Sequence, residues 1–336
     1  MSVTANSIDL RSMAALVASR VETAMHADLA TALSGCDPLL AQVLEHALFN
    51  GGKRIRPFLT VLCSRCCGRD DDDLYLLAAA FEYLHVATLV HDDVIDHAPK
   101  RRGKITVSAQ FGLAAAILAG DWLHARSMHL IGRLAGAQGL EIFCEATGSM
   151  VNGEFEQLRY IADMSTGEDQ YFAVIRQKTG NLIASTCAIG ALFAGAGQAR
   201  LQALATYGNL IGAAFQVVDD LLDFQGQTET TGKKTGNDFI EGKLTLPILH
   251  TLGRASAEDR TTLEQLFHGD RTRPGAYEQL YSLIEHYQGF ASAAQVARDL
   301  TTQAIQALAP FSAKGPDNLE INLLKQLAGY ILSRQK

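Results

Sequence analysis

The sequence has little that would interrupt helices. It contains 7 prolines in 336 residues, and runs of alternating β-branched residues, which would predict strands, are missing. Charged residues make up 19% and apolar residues 48%, which excludes the charge-rich, apolar-poor composition of a disordered chain. Its 29 glycines fall far below the roughly one third that a collagen-like repeat requires. The chain is therefore expected to fold around a large apolar core.

An excess of positive charge is also missing. Lysine and arginine total 29 and aspartate and glutamate total 36, so the formal net charge is −7. A mildly acidic chain lacks the general basic surface that is typical of nucleic-acid-binding proteins. No nucleic-acid partner is expected, and any polyanion that binds must meet a local cluster of basic residues.

Signals for secretion and membrane insertion are not evident. The first residues, with Asp9 and Arg11, show no basic segment followed by an apolar one, so no secretory signal is expected. The uncharged stretch 179–199 contains glycines and polar residues, which favours a buried helix over a transmembrane one. The six cysteines are scattered, and no second pair completes a zinc site with the cluster at 63–67. A cytoplasmic protein with core thiols and no transmembrane segment is expected.

Apolar residues recur at helical spacing through almost the whole chain. The aspartates at 70–73 predict a helix start, because acidic side chains favour that end of the helix dipole, and this helix should continue to about Asp96. Further helices are predicted at Gln110–Gly132, Leu140–Leu158, Asp169–Phe193 and Gln198–Phe224, and after Pro247, with a polar loop at Gln225–Asn237. No linker or fixed-period repeat stands out, so residues 1–336 are predicted to form a single all-α domain.

Two aspartate clusters share the spacing DDxxD, and each follows a strongly apolar stretch. The first occupies residues 92–96 and the second residues 219–223. Residues four apart lie on one helix face, so their carboxylates repel each other unless a cation neutralises them. A solvated surface could explain one such cluster, but two at the ends of apolar helices are typical of a functional site. Carboxylate oxygens are ligands that Mg²⁺ accepts, usually together with substrate phosphates.

Basic residues lie near both clusters in the sequence. The segment GGKRIRP at 51–57 supplies three cations. The others are Arg101, Arg102, Lys178, Lys233, Lys234 and Lys243. Arginine binds phosphate oxygens through two parallel hydrogen bonds, and lysine binds them as a point charge. Each residue alone would be an ordinary surface cation. Together with the two aspartate clusters they fit two diphosphates, one bound through Mg²⁺ and one bound by cations.

These segments together resemble the trans-isoprenyl diphosphate synthases, the polyprenyl synthetase family. The resemblance rests on GGKRIRP, HDDVIDHAPKRRG, KTG, FQVVDDLLDF and GKKTGNDFIEGKLTLP, which occur in the family's order over most of residues 50–250. It implies an all-α isoprenoid-synthase bundle around a deep central cavity, and a homodimer. It also implies a head-to-tail 1′-4 condensation of isopentenyl diphosphate with an allylic diphosphate, assisted by several Mg²⁺ ions per active site.

The resemblance also implies a role for individual residues. The implied Mg²⁺ ligands are Asp92, Asp96, Asp219 and Asp223. The implied isopentenyl diphosphate site consists of Lys53, Arg56, His85 and Arg102. The implied allylic diphosphate site consists of Arg101, Lys178, Lys233 and Lys243. Thr179 and Gln216 match polar groups near the developing cation. The catalytic set is therefore Asp92, Asp96, Asp219, Lys178 and Gln216.

Product length is predicted from the helix that precedes the first cluster. Leu84, Ala87 and Thr88 lie eight, five and four positions before Asp92, about 5 to 12 Å deeper at about 1.5 Å per residue. In the resembling family, a bulky aromatic residue at the Ala87 or Thr88 position closes the cavity and gives short products. Both residues are small here, so a medium-to-long product around octaprenyl is predicted. A farnesyl or geranylgeranyl synthase is the alternative.

Other protein classes could use some of the same residues. An HD-type phosphohydrolase could use His91 and Asp92, but it would leave the second aspartate cluster and GGKRIRP unexplained. The ExxH pattern from Glu82 to His85 occurs in di-iron bundles, but the matching partner motif is missing. A terpene cyclase would not need the second diphosphate site. A silent regulatory subunit would be expected to lose acidic ligands, and both clusters are intact.

Overall fold

The computed structural model describes residues 9–101, 103–225, 235–314 and 318–333 and places most of them in helices, which confirms the predicted all-α class. In chain order the helices are α1 Leu10–Ala32, α2 Pro38–Leu48, α3 Ile55–Cys67, α4 Asp72–Ile95, α5 Val107–Phe111, α6 Leu113–Arg159, α7 Glu168–Ile175, α8 Asn181–Phe193, α9 Gln198–Gln225, α10 Asn237–Glu241, α11 Leu246–Leu252, α12 Ala257–His268, α13 Ala276–His286, α14 Gly289–Ala307 and α15 Leu319–Ser333. A π-helical turn occupies Arg176–Gly180, and a 3₁₀ helix occupies Ala309–Lys314. Strands β1 (Lys100–Arg101) and β2 (Lys104–Ile105) form a short antiparallel pair.

Contacts group the described residues into two compact units. Unit 1 contains those up to Cys144, Thr186–Leu204 and those of Pro310–Leu324. Unit 2 contains Glu145–Ser185, Ala205–Ala309 and those from Lys325 onward. The single-domain organisation stays a prediction.

Helix α4 forms much of the core of unit 1. The Asp71 side chain accepts a hydrogen bond from the Leu74 backbone N–H and caps the helix, as the run of aspartates predicted. The next turns bury Phe81, Tyr83 and Leu84 where α4 packs against α1 and α3. Among the described helices, only α4 is long and apolar enough to cross a membrane, and 72% of its apolar window is buried inside the protein. A buried core helix satisfies the same criterion.

The cysteines of unit 1 mostly behave as predicted. Cys63, Cys66 and Cys187 are buried and unpaired by disulfides, which confirms the expected core thiols, whereas Cys36 is exposed. Helices α3 and α8 approach closely at Gly190. A Cβ atom there would lie 2.5 Å from the Thr60 carbonyl oxygen. A larger residue at Gly190 would therefore force the two helices apart.

Unit 2 contains an irregularity that helical periodicity did not predict. The expected continuous helix Asp169–Phe193 is divided into α7, the π-helical turn and α8. Two glycines make room for this turn. A Cβ atom at Gly153 would lie 2.8 Å from Lys178 Cγ, and one at Gly212 would lie 2.8 Å from Gly180 Cα. The turn thus fits between α6 and α9 because neither helix carries a side chain at the point of contact.

Candidate active site

The first aspartate cluster lies at the carboxyl end of α4 in unit 1. Asp92 and Asp96 are both exposed, and Asp96 is the C-cap residue of the helix. Asp93 differs from both, because it is buried and accepts a 2.7 Å hydrogen bond from Arg101 Nε. Arg101 stands in β1, so this ion pair joins the short hairpin to the end of α4. Two carboxylates therefore remain at the surface, one helical turn apart.

The basic residues of the GGKRIRP segment lie in different environments. Lys53 is exposed, whereas Arg54 is only 3% exposed. Arg54 Nη1 donates a 2.6 Å hydrogen bond to Glu82 Oε1, and Nη2 donates one of 2.9 Å to the Leu48 carbonyl oxygen. The Arg54 charge is therefore used inside unit 1 and is not available to a phosphate.

Arg56 in the same segment carries a hydrogen-bond donor without an acceptor in the described part of the chain. Its Nε atom is buried and has no hydrogen-bond partner within the described part of the chain. Burial lowers the pKa of the Arg56 guanidinium below its ordinary value. A buried donor without an acceptor is costly, so this group is suited to binding an anion.

The remaining predicted residues of α4 lie on the turns that precede Asp92. His85 and Thr88 are half-buried, and the Thr88 hydroxyl donates a 2.8 Å hydrogen bond to the His85 carbonyl oxygen. Leu84 and Ala87 are buried, each with 2% exposure. The structure thus distinguishes Thr88, with its partly accessible side chain, from its two buried neighbours.

The second aspartate cluster ends α9 in unit 2. Asp219 and Asp223 are half-buried, and Asp220 is only 4% exposed. Asp223 Oδ2 accepts a 3.0 Å hydrogen bond from the Asp238 backbone N–H, which links α9 to the start of α10. The cluster is therefore held by the segment that follows it in the sequence.

Negative charge is crowded around this cluster. Burial, followed by the nearby Asp238 carboxylate, raises the pKa of Asp220 to about 7. The same two causes raise the pKa of Asp223 to about 6. Carboxyl groups whose pKa rises in this way are short of compensating positive charge. A cation bound here would relieve that repulsion.

The π-helical turn carries two predicted residues of unit 2. Lys178 Nζ lies 2.9 Å from Glu154 Oε2 and donates a 2.7 Å hydrogen bond to Gln157 Oε1. The Thr179 hydroxyl donates a 3.2 Å hydrogen bond to Gln216 Oε1 on α9. π-Helical turns inside helices occur frequently at functional sites. This turn brings Lys178 and Thr179, which are adjacent in sequence, into contact with different helices.

A cleft of about 110 Å³ in unit 2 collects several of these groups. The polar residues that line it include Tyr171, Lys178, Gln216, Asp220, Asp238 and Lys243. Lys243 Nζ lies 2.6 Å from Glu241 Oε2 and 3.3 Å from Asp238 Oδ1. Lysines and carboxylates of one cleft can bind a diphosphate directly and through a cation at the same time.

The prediction from sequence was incomplete at this site. Arg102 and Lys233 were predicted to bind diphosphates and lie outside the described residues. Tyr171 was not predicted, although its hydroxyl donates a 2.6 Å hydrogen bond to Asp220 Oδ2. No signal in the sequence marks Tyr171, because it stands in an apolar helix 49 residues from its partner.

Comparison with known proteins agrees with these features. The sequence profile described as "Polyprenyl synthetase" matches residues 37–284. The octaprenyl diphosphate synthase of Haemophilus influenzae is 35% identical over 271 residues, which cover 81% of this chain and 82% of that protein.

Two solved structures are similar over nearly their whole length. A decaprenyl diphosphate synthase from Rhodobacter capsulatus superposes with a TM-score of 0.87 at 33% identity, covering 98% of this chain and 100% of that one. A polyprenyl synthase from Caulobacter crescentus, complexed with calcium and isoprenyl diphosphate, gives a TM-score of 0.86 at 33% identity and covers 99% and 100%. The fold, the paired aspartate motifs and these similarities show that the chain belongs to the polyprenyl synthetase family and is a prenyltransferase.

Proposed function

We propose that this enzyme extends an allylic diphosphate by repeated head-to-tail 1′-4 condensation with isopentenyl diphosphate, giving an all-trans product around octaprenyl. The observation that carries the proposal is the cleft of unit 2, in which Lys178 and Lys243 stand beside the carboxylates of Asp220 and Asp238. Similarity to octaprenyl and decaprenyl diphosphate synthases supports a product of this length.

The donor groups fit Mg²⁺. Asp92 and Asp96 are exposed carboxylates one turn apart, and burial, followed by the nearby Asp238 carboxylate, raises the pKa of Asp223. Among the described residues no three Asp, Glu, His or Cys side chains form a group that could hold a metal ion. Mg²⁺ is usually bound by one or two carboxylates plus phosphate oxygens and water. The proposed ligands are Asp92, Asp96, Asp219 and Asp223, and bound Mg²⁺ supplies charge neutralisation of the departing diphosphate.

The basic residues divide between the two substrates. We assign the allylic diphosphate to Arg101, Lys178, Lys233 and Lys243, and isopentenyl diphosphate to Lys53, Arg56, His85 and Arg102. The orphan Nε donor of Arg56 supports the second assignment, because a phosphate oxygen would satisfy it. Lys178 is placed on a fixed backbone turn, so its ammonium group can stabilise charge on the leaving diphosphate.

The reaction needs one bond to break and one to form. Heterolysis of the allylic C–O bond leaves an allyl cation and a diphosphate, and the electron pair of the isopentenyl double bond then forms the new C–C bond. The oxygen atoms of Thr179 and Gln216 can stabilise the developing positive charge. Loss of a proton completes the step, and we assign that proton to the released diphosphate. An apolar enclosure keeps water from quenching the cation.

The oligomeric state and the cellular location are further proposals. We propose that the enzyme works as a homodimer in the cytoplasm. Exposed apolar side chains on the first turns of α6 support the dimer, namely Leu113, Ile117 and Leu118. Contiguous apolar surface of this kind is typical of protein interfaces.

Incubation of the purified protein with isopentenyl diphosphate, an allylic starter and Mg²⁺ tests the reaction. We expect elongated, acid-labile products that reach about eight isoprene units, identified by chromatography after dephosphorylation. Asp219→Ala should lower turnover by about a hundredfold or more, the size of losing one electrostatic group at the reacting centre. Asp299→Ala, an exposed aspartate of α14, is the matched control and should keep normal turnover. Phosphate release without elongation would indicate a hydrolase and reject the proposal.

A further inference from the structure

A chain of hydrogen bonds in unit 2, buried at one end, connects Tyr171, which the proposed reaction does not use, to Gln216 and Thr179, which it does use. The Tyr171 hydroxyl donates a 2.6 Å hydrogen bond to Asp220 Oδ2. Gln216 Nε2 donates a 2.9 Å hydrogen bond to Asp220 Oδ1. Thr179 Oγ1 donates to Gln216 Oε1 at 3.2 Å. The hydrogen-bond chain therefore runs from the buried Tyr171 and Asp220 to the half-buried Gln216 and Thr179.

Asp220 is the central acceptor of these hydrogen bonds. It is 4% exposed, and each of its carboxylate oxygens already accepts one hydrogen bond from a side chain. Tyr171 is 7% exposed, so neither partner can exchange this contact for water at low cost. Although it belongs to the DDxxD cluster, Asp220 is thereby committed to orienting protein groups.

Each oxygen of the Asp220 carboxyl group accepts a side-chain hydrogen bond, one from Tyr171 and one from the Gln216 amide, and this arrangement fixes the orientation of that amide. The –NH₂ end must face Asp220, so the carbonyl oxygen must face Thr179. That oxygen carries the negative end of the amide dipole. Under the role proposed for Gln216, an oxygen held in one orientation can stabilise positive charge on the allylic fragment without reorienting during the reaction.

We propose that Tyr171 is a positioning residue for prenyl transfer, which holds Asp220 so that Asp220 keeps the Gln216 carbonyl oxygen turned towards the reacting centre. The inference rests on the proposed role of Gln216. Without the Tyr171 hydroxyl, Asp220 would lose one of its two anchors and could turn, and Gln216 would lose its defined orientation. Binding of isopentenyl diphosphate would not change, because no residue of the hydrogen-bond chain is assigned to that site.

A double-mutant cycle tests the proposal. Tyr171→Phe should lower kcat about tenfold, with the KM for isopentenyl diphosphate unchanged within about twofold. Gln216→Leu should lower kcat at least as much. The double variant should be no slower than Gln216→Leu alone, because groups that act through one another are not additive.

Tyr287→Phe is the matched control. Its hydroxyl also donates a 2.6 Å hydrogen bond to an aspartate of unit 2, Asp259 Oδ2. This variant should keep the wild-type kcat, although it removes the same kind of contact. A similar fall in kcat for Tyr287→Phe and Tyr171→Phe would show a general loss of stability and overturn the proposal.

A same-size variant covers the case in which Tyr171→Phe does not fold. Asp220→Asn replaces one acceptor oxygen with a donor, and its fall in kcat should be non-additive with Gln216→Leu. Normal kcat in the folded Tyr171→Phe enzyme, or losses that multiply with Gln216→Leu, would overturn the proposal. Failure of the wild-type enzyme to elongate any starter would instead reject the function on which it rests.

Discussion

Arg54 belongs to the GGKRIRP segment, but its charge is not available to bind phosphate as the basic residues of that segment suggested. Its backbone adopts a left-handed conformation with φ of 47°, which is costly for a residue that has a Cβ atom. Such a conformation persists when contacts determine it, and the buried guanidinium supplies those contacts through Glu82 and Leu48. Arg54 thereby fixes the backbone between Lys53 and Arg56, which are the two residues assigned to substrate.

The buried ion pair predicts a strong contrast between two glutamates. Arg54 lies 2.6 Å from Glu82 Oε1 and 3.1 Å from Glu22 Oε1. The Glu82 side chain is 4% exposed and that of Glu22 is 42% exposed. Glu82→Gln should lower the free energy of unfolding by about 3 kcal/mol, because it leaves a buried guanidinium without its main counter-charge. Glu22→Gln should cost less than about 1 kcal/mol. Urea denaturation measures both, and equal losses would contradict the argument.

At the level of residues, the spacing of charges predicted which aspartates share a helix face, but not which of them form ion pairs. That Asp92 and Asp96 lie on one face of α4 follows from helical geometry alone, because positions four apart share a face. The pairing of Asp93 with Arg101 depends on a hairpin that folds back onto the end of α4. Helical periodicity carries no information about that contact.

At the level of elements, helix positions were predicted well, whereas the π-helical turn within one of the predicted helices was not. The predicted gap between Gly132 and Leu140 coincides with Gly136, which has φ of 69° inside α6. A glycine in a left-handed conformation interrupts the helix that contains it, so the sequence of that helix is enough to predict the interruption. The π-helical turn at 176–180 instead depends on Gly153 and Gly212, which belong to other helices. Local periodicity could not predict it.

The different exposure of two residues on α4 predicts which of them limits product length. Thr88 lies four residues before Asp92, about 6 Å along the axis, and its side chain is half-buried, whereas Ala87 is 2% exposed. Thr88→Tyr should therefore shorten the product by several isoprene units while condensation continues, because the larger ring would block a growing chain at this level.

Thr88→Val serves as the control for this variant. It removes the hydroxyl that bonds to the His85 carbonyl oxygen but keeps the size of the side chain. Its products should keep the wild-type length when both sets are dephosphorylated and separated by chromatography. An unchanged product distribution in Thr88→Tyr would place the end of the cavity elsewhere and exclude Thr88 as its determinant.

At the level of the whole molecule, the first turns of α6 expose an apolar surface that unit 1 itself does not bury. Leu113 is 57% exposed, Ile117 is 41% exposed and Leu118 is 64% exposed. Positions 113 and 117 lie one turn apart on one face of the helix, and 118 is adjacent. Burying a fully exposed side chain of this kind contributes roughly 1.5 to 3 kcal/mol, so burying the fraction that is still exposed here would contribute about half of that per residue. In a dimer in which each copy covers this surface of the other, the stabilisation would count twice.

The proposed dimer therefore predicts that one charge on this surface dissociates it. Leu118→Glu would place a carboxylate in an apolar interface, at a cost of several kcal/mol unless it is paired. Light scattering coupled to gel filtration should give twice the chain mass for the wild-type protein and the mass of a single chain for Leu118→Glu. Leu16→Glu changes a leucine of α1 that is 53% exposed and should leave the dimer intact. A wild-type protein with the mass of a single chain, or a Leu118→Glu variant that remains dimeric, would show that this surface does not join two copies of the chain.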